Sequence, residues 1–298
     1  MTMRYTSAAA FRAALEQRLL NQSRETGTSL VRLRKTVVFD RLLARLVAVA
    51  PGRWVLKGAL ALDFRLGTRS RTTKDMDLAR HDDGDAATAD FIAAQAIDLG
   101  DFFTLVIERS RDLAEGPGGA IRYHVRAELA GRLFEEANVD VGFGDPLPTS
   151  PDPVRGPDLL SFAGIPSAEV PALPLEQHVA EKVHAYTRNY GPGVNTRVKD
   201  LVDLVLIKSF VGLDARLLRT SLERTFEGRG LQALPGALPA PPADWAPAYR
   251  RLAAEVGLDP DLRTGHAAAA ALVNPVLAGK DHGRWSPGRS AWFEDPGT

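Results

Sequence analysis

The ten residues Ser70-Arg71-Thr72-Thr73-Lys74-Asp75-Met76-Asp77-Leu78-Ala79 decide how this chain is read. Their second half alternates charged and apolar side chains, which predicts a half-buried strand over 75–79. On a strand, residues i and i+2 face the same side, so the carboxylates of Asp75 and Asp77 project together. Two carboxylates this close repel unless a proton or a cation lies between them. A hard divalent cation, Mg2+ or Mn2+, sharing its shell with phosphate oxygens, removes the repulsion. The first half supplies hydroxyl and cationic groups, with Ser70, Arg71 and Lys74 as candidate phosphate donors.

A lone Asp-x-Asp is commonly a solvated strand surface, and its neighbours give this one meaning. Eighteen residues before Asp75, Lys57-Gly58 closes a short strand (RWVL, 53–56) and opens a helix, GALALDFRL, over 58–66. Helix N-termini offer free N–H groups to phosphate, and glycine permits close approach. Lys57 adds a point charge. Further on, Asn138-Val139-Asp140-Val141 alternates again and brings a third carboxylate, Asp140. On a neighbouring strand it would complete a two-metal site or act as general base toward an attacking hydroxyl.

Outward from this centre, Phe11, Leu15 and Leu19 mark a helix over 7–22 with Ser7 as N-cap, and a second runs from Thr28 or Ser29 to about Ala50. A helix is predicted over 85–99, and strands over 102–108, 121–129 and 133–143. The stretch 145–157 holds Pro146, Pro148, Pro151 and Pro153 and reads as an irregular linker. Helices follow at 175–189, 196–210, 214–227, 246–256 and 261–278. The order predicts an α+β fold: a mixed-sheet core over 51–157, N-terminal basic helices over 1–50 and a helical C-terminal lobe over 158–298. Neither a Rossmann fingerprint nor a Walker P-loop occurs.

The 298 residues carry no cysteine, which excludes disulfides, thiolate metal sites and a cysteine nucleophile. No run of 18 apolar residues or secretory leader is found, so a cytoplasmic, membrane-free protein is expected. The 37 basic and 37 acidic side chains cancel, but residues 1–80 hold 16 Lys/Arg against 6 Asp/Glu, and the rest hold 21 against 31. Such asymmetry points to a polyanionic partner or to a basic lobe packed on an acidic one. Arg32, Arg34, Lys35, Arg41 and Arg45, all in the second helix, are the candidate polyanion surface.

Strand, glycine, helix, basic loop, Asp-x-Asp and a third aspartate on a later strand is the order of the polymerase-beta-type nucleotidyltransferase fold. Four stretches make the chain resemble the AbiEii family of nucleotidyltransferase toxins, which includes the MenT-like toxins of toxin–antitoxin systems. They are LKGALALDFRLG (56–67), SRTTKDMDLA (70–79), NVDVGFGD (138–145) and the pair HVAEKVHA (178–185) with RVKDLVDL (197–204). Ala59 stands where the commoner form has a second glycine. The resemblance implies transfer of nucleotides from an NTP to the 3′ acceptor end of tRNA, blocking aminoacylation and translation, and a cognate antitoxin. It also places functional weight on Lys182 and Asp203; from spacing alone, a Lys182–aspartate pair could equally tie two helices together. A phosphate on Thr73 or Thr72 would add negative charge beside Asp75 and offers a control route. Other readings are the same transfer to a protein or small-molecule hydroxyl, a metal-dependent nuclease, and a non-catalytic nucleotide-binding partner module.

Overall fold

A computed structural model describes residues 3–71, 73–113, 118–144, 150–189 and 197–294. The chain forms two compact units, one of Met1–Thr68 with Thr72–Leu173, the other of Arg69–Arg71 with Pro174–Thr298.

The first unit opens with α1 (Ala8–Thr26) and α2 (Leu30–Val49). The Ser7 hydroxyl accepts from the Ala10 N–H and the Ser29 hydroxyl from the Arg32 N–H, satisfying amides that a helix start leaves open. Between the helices, Gly27 takes the left-handed conformation (φ 70°) that ends α1. Phe11, Leu15 and Leu19 are buried, as their spacing predicts.

Next come β1 (Val55–Lys57), α3 (Gly58–Leu66), β2 (Asp75–Arg80), α4 (Gly84–Ala96), β3 (Phe103–Leu113), β4 (Ala120–Leu129), β5 (Arg132–Phe143), β6 (Asp152–Arg155) and β7 (Glu169–Ala172). The seven strands form one mixed sheet in the order β3-β4-β5-β2-β1-β7-β6. β2 runs parallel to β5 and β1 parallel to β7; the remaining neighbours are antiparallel. The four-proline stretch therefore does not end the core: it contains β6, and the sheet runs on to Ala172, past the boundary expected at 157. β6 is an edge strand, where proline removes no needed ladder bond.

One sheet face is apolar. Met76, Leu78, Val125, Val139 and Val141 are fully buried on it, and α2 packs against β5 and α4. β4 and β5 are joined by the turn Ala130-Gly131, both at positive φ (52° and 68°), as a two-residue hairpin of matching twist requires. Beyond the turn Glu128 pairs with Leu133 but Ala127 with Glu135, leaving Phe134 as the extra residue of a bulge. At the far end of β2, Arg80 is fully buried, lies 4.1 Å over the Trp54 ring, and donates to Asp82 and Asp90, both at 2.6 Å. Asp83 caps α4. His81-Asp82-Asp83 is thus the exit from β2 into α4.

The second unit contains α5 (Leu175–Thr187), α6 (Val198–Phe210), α7 (Ala215–Arg229), α8 (Ala246–Glu255) and α9 (Leu262–Leu277). A feature absent from the sequence reading is a small antiparallel sheet of β8 (Leu213–Asp214), β9 (Arg284–Ser286) and β10 (Ala291–Phe293). Trp285 and Trp292 pin it, their indole N–H groups donating to the carbonyls of Lys208 (2.8 Å) and Leu272 (2.9 Å). Among the described residues no helix is long and apolar enough to cross a membrane.

Candidate active site

The polar face of the first unit's sheet carries the acidic residues singled out in the sequence. Asp75 and Asp77 share it because Met76 and Leu78 are drawn to the core; a one-residue slip would exchange the sets. Strand register then lines up side chains from four strands. Lys57 of β1 lies opposite Asp77 of β2, Asp77 opposite Asp140 of β5, and Asp140 opposite Arg122 of β4. A second row places Asp75 opposite Asn138, and Asn138 opposite His124.

Each acid is held differently. Asp75 accepts from the Asn138 side-chain amide at 3.3 Å, and the Asn138 carbonyl oxygen lies 3.3 Å from His124 Nδ1. Asp140 takes both nitrogens of a guanidinium fork, Arg122 Nε at 2.7 Å and Nη2 at 2.6 Å. That pairing is the main influence on Arg122. Burial opposes it, and the fields of Asp140, Asp75 and Asp77 reinforce it, so the guanidinium pKa is raised above its ordinary value. The sequence offered Asp140 as a third metal ligand or an open base; in this structure Arg122 occupies it.

Asp77 sits against Gly58, the first residue of α3. Gly58 has φ 67°, and a Cβ there would lie 1.9 Å from Asp77 Oδ2. The sequence assigned this glycine to phosphate approach; what it makes room for here is the Asp77 carboxylate, beside the positive end of α3. The Lys57 ammonium reaches across to Gly142 of β5, 3.4 Å from where a Cβ would stand.

The loop before β2 is less open than its composition suggests. Ser70 and Arg71 are buried and Thr73 is half-buried, while Arg69 and Lys74 are exposed. The Thr73 hydroxyl donates to the backbone carbonyl of Asp75 at 2.9 Å. Thr72 lies outside the described residues.

Arg71 belongs to the second unit, where its fork grips Asp203 of α6 (2.8 and 2.9 Å). Lys182 of α5 reaches the same carboxylate at 2.8 Å and Asp200 at 3.0 Å. Burial disfavours the ionised form of Asp203, but Lys182 and Arg71 outweigh it and hold its pKa at about 2. Lys182 is raised in turn: burial works against its charge, and Asp203 and Asp200 overcome it. The ion pair tying α5 to α6 is thus present. Arg71, expected to contact phosphate, and Lys182, given functional weight by the resemblance, are both engaged in this network. His178 and His184 are buried alongside; the His184 ring meets Phe226 edge-on at 4.9 Å.

The proposed polyanion surface on α2 is not one. Arg32 pairs with Asp63 (2.6 Å), Arg34 with Glu16 (2.7 Å) and Lys35 with Glu135 (3.8 Å) and the Glu136 carbonyl. Arg41 pairs with Asp40 and Asp101, and Arg45, 1% exposed, grips Asp101 at 2.7 and 2.9 Å. α2 is buried on most faces, and its cations answer acids within the first unit. The asymmetry along the sequence reflects, for these five, internal pairing.

Asp75 and Asp77 form a hard two-oxygen donor set. Among the described residues no cluster of three or more His, Cys, Asp or Glu could hold a metal unaided. A cation here would complete its shell with phosphate and water, which suits Mg2+ or Mn2+. Sequence reading passed over Arg122, Asn138 and Gly142. Two signals were available: Arg122, His124 and Arg126 alternate on one face of β4, and a strand-interior glycine marks a close approach.

Comparison with solved structures finds the nucleotidyltransferase toxin MenT4 from Mycobacterium tuberculosis, 20% identical over 90% of this chain and 98% of that one, with a TM-score of 0.53. JHP933 from Helicobacter pylori is 17% identical over 80% of this chain and 89% of that one, with a TM-score of 0.45. The comparison with curated proteins finds no match. The family model described as nucleotidyl transferase AbiEii toxin, type IV toxin–antitoxin system, matches residues 41–274, a span that takes in the Asp-x-Asp strand, Asp140 and the Lys182–Asp203 pair. The chain belongs to the AbiEii family of nucleotidyltransferase toxins.

Proposed function

We propose that this toxin transfers nucleotides from an NTP to the 3′ acceptor end of tRNA in a reaction that needs Mg2+ or Mn2+. The observation that carries the reading is the pairing of Asp75 and Asp77 on one sheet face, in register with Asp140 and Lys57. The acceptor hydroxyl oxygen attacks the α-phosphorus. The bond to the bridging oxygen breaks, and pyrophosphate leaves. The cation, when bound, neutralises charge developing on the phosphate oxygens. Asp75 and Asp77 would hold it, and Asn138 fixes the Asp75 carboxylate. Lys57 and Lys74 supply positive charge for the triphosphate, and Gly58 leaves Asp77 its place. Asp140 takes the acceptor proton once an oxygen is released from Arg122. Within the second unit, Lys182 and Asp203 hold Arg71 in place.

The tRNA acceptor rests on the resemblance of the motifs to MenT-type toxins; α2 contributes no RNA surface. Extending the acceptor end blocks aminoacylation and so translation, and the family implies a cognate antitoxin. A phosphate on Thr73 would replace its bond to the Asp75 carbonyl with about −1.5 to −2 charge beside the acids, a route to silencing.

The test is incubation with each labelled NTP and total RNA, protein and metabolite fractions, followed by sequencing of tRNA 3′ ends. Label should appear in tRNA and vanish in Asp75→Asn and Asp77→Asn. Label in protein or small molecules would move the acceptor there. Shortened RNA would indicate a nuclease, and no label from a folded chain a binding module.

A further inference from the structure

The polar row has an unusual charge order across four strands: Lys57, Asp77, Asp140, Arg122, with cations at the ends and acids inside. Arg122 meets Asp140 through two parallel short bonds (2.7 and 2.6 Å), the strongest arrangement an arginine and a carboxylate can form. Both side chains are partly shielded, at 24% and 20% exposure, so their charges are incompletely screened. The family motifs do not include Arg122, and the mechanism above involves it only as the group that must release Asp140.

We infer that Arg122 is the resident counter-ion of the carboxylate row, a positioning residue that occupies Asp140 and weakens divalent-cation binding until a nucleoside triphosphate arrives. The inference rests on the reading of Asp75 and Asp77 as cation ligands. Asp140 stands in register beside Asp77, so without the guanidinium it is the natural third carboxylate for a cation there. With the guanidinium in place, a cation meets one fewer ligand and one like charge. A triphosphate brings enough negative charge to offset that repulsion. Arg122 thus couples cation binding to NTP binding, and the nucleotide-free toxin holds little metal.

The experiment is Mn2+ titration of the full chain without nucleotide, followed by electron paramagnetic resonance of the free ion, and repeated with a non-hydrolysable NTP analogue. Arg122→Gln should bind Mn2+ roughly tenfold more tightly than wild type, the size of one neighbouring charge at a half-exposed site. Asp140→Asn added to Arg122→Gln should cancel the gain. The analogue should raise Mn2+ affinity more in wild type than in Arg122→Gln. Arg122→Lys keeps a charge without the fork and should stay within about threefold of wild type; if a melting curve shows the glutamine variant unfolded, Arg122→Met, which also removes the charge, takes its place and should show the same gain. Arg122→Gln binding no tighter than wild type, where Asp75→Asn with Asp77→Asn abolishes binding, would overturn the inference alone. Mn2+ binding indifferent to Asp75 and Asp77 would overturn the reading beneath it as well.

Discussion

Replacing Gly58 with alanine separates two roles of one residue. The backbone there has φ 67°, where an L side chain costs about 1–2 kcal/mol. A first unit of this size should lose roughly 2–8 °C of melting temperature for that strain. The second effect is local. The new Cβ would stand 1.9 Å from Asp77 Oδ2, and such contacts are not found below 3.0 Å, so the carboxylate must move by roughly 1 Å. Displacements of that size in a reacting constellation cost on the order of 100-fold in rate. Gly52→Ala is the control, because it sits at φ 75° with nothing within 4 Å of a new Cβ. Both variants should lose similar stability, and only Gly58→Ala should lose nucleotide incorporation. The assay is initial-rate transfer of labelled NTP beside a thermal melt. Activity of Gly58→Ala within threefold of wild type would show that Asp77 does not need the position it holds.

Four further outcomes follow from the geometry. Asp203 has its pKa lowered from 3.8 to about 2, so its contribution to stability is complete above the ordinary carboxylate range and is lost as pH falls through about 2. That stability is about 2 kcal/mol, and urea unfolding between pH 5 and 2 should show the loss disappear in Asp203→Asn, which starts less stable. Arg45→Ala should destabilise by about 3–5 kcal/mol because it takes the guanidinium fork from buried Asp101 and leaves it Arg41 at 3.5 Å, whereas Arg34→Ala should leave both RNA affinity and its salt slope unchanged; a urea melt checks the first and an RNA-binding titration against salt the second. The Tyr249 hydroxyl is buried with no hydrogen-bond partner among the described residues, and burial with the fields of Asp259 and Asp261 pushes its pKa up to about 12. Tyr249→Phe should therefore leave the melting temperature unchanged or raise it.

What could be read in the sequence is what depends on neighbours along the chain. Asp75 and Asp77 announce their shared face because Met76 and Leu78 alternate with them. Ser7, Ser29 and Gly27 announce helix ends because capping is local. The role of Arg122 depends instead on which strand lies beside β5 and in what register, information carried by a bulge near Phe134 rather than by any motif. Arg45 looks like a surface cation until Asp101, 56 residues away, is found against it. The β6–β7 hairpin was hidden by its prolines, and the β8–β10 sheet by strands of two or three residues, too short for periodicity to register. Lys182 and Asp203 were legible as a pair, but the capture of Arg71 by the same carboxylate was not.

The β4–β5 hairpin makes the acidic face a matter of parity. Asn138 and Asp140 point toward Asp75 and Asp77 because an odd residue, Phe134, is spent between them and the turn at Ala130-Gly131. Flatten the bulge at constant length and keep the turn, and Ala137, Val139 and Val141 would take their place, with Asp140 turned to the core. The sheet would then have to give up either its hairpin register or its buried valines. Length changes elsewhere move a loop, whereas a change of one here that leaves the bulge in place reassigns the chemistry of a whole strand. A seven-residue segment with no catalytic side chain, 131–137, therefore acts as the ruler of the site, and variation in its length should be far rarer than variation in its composition.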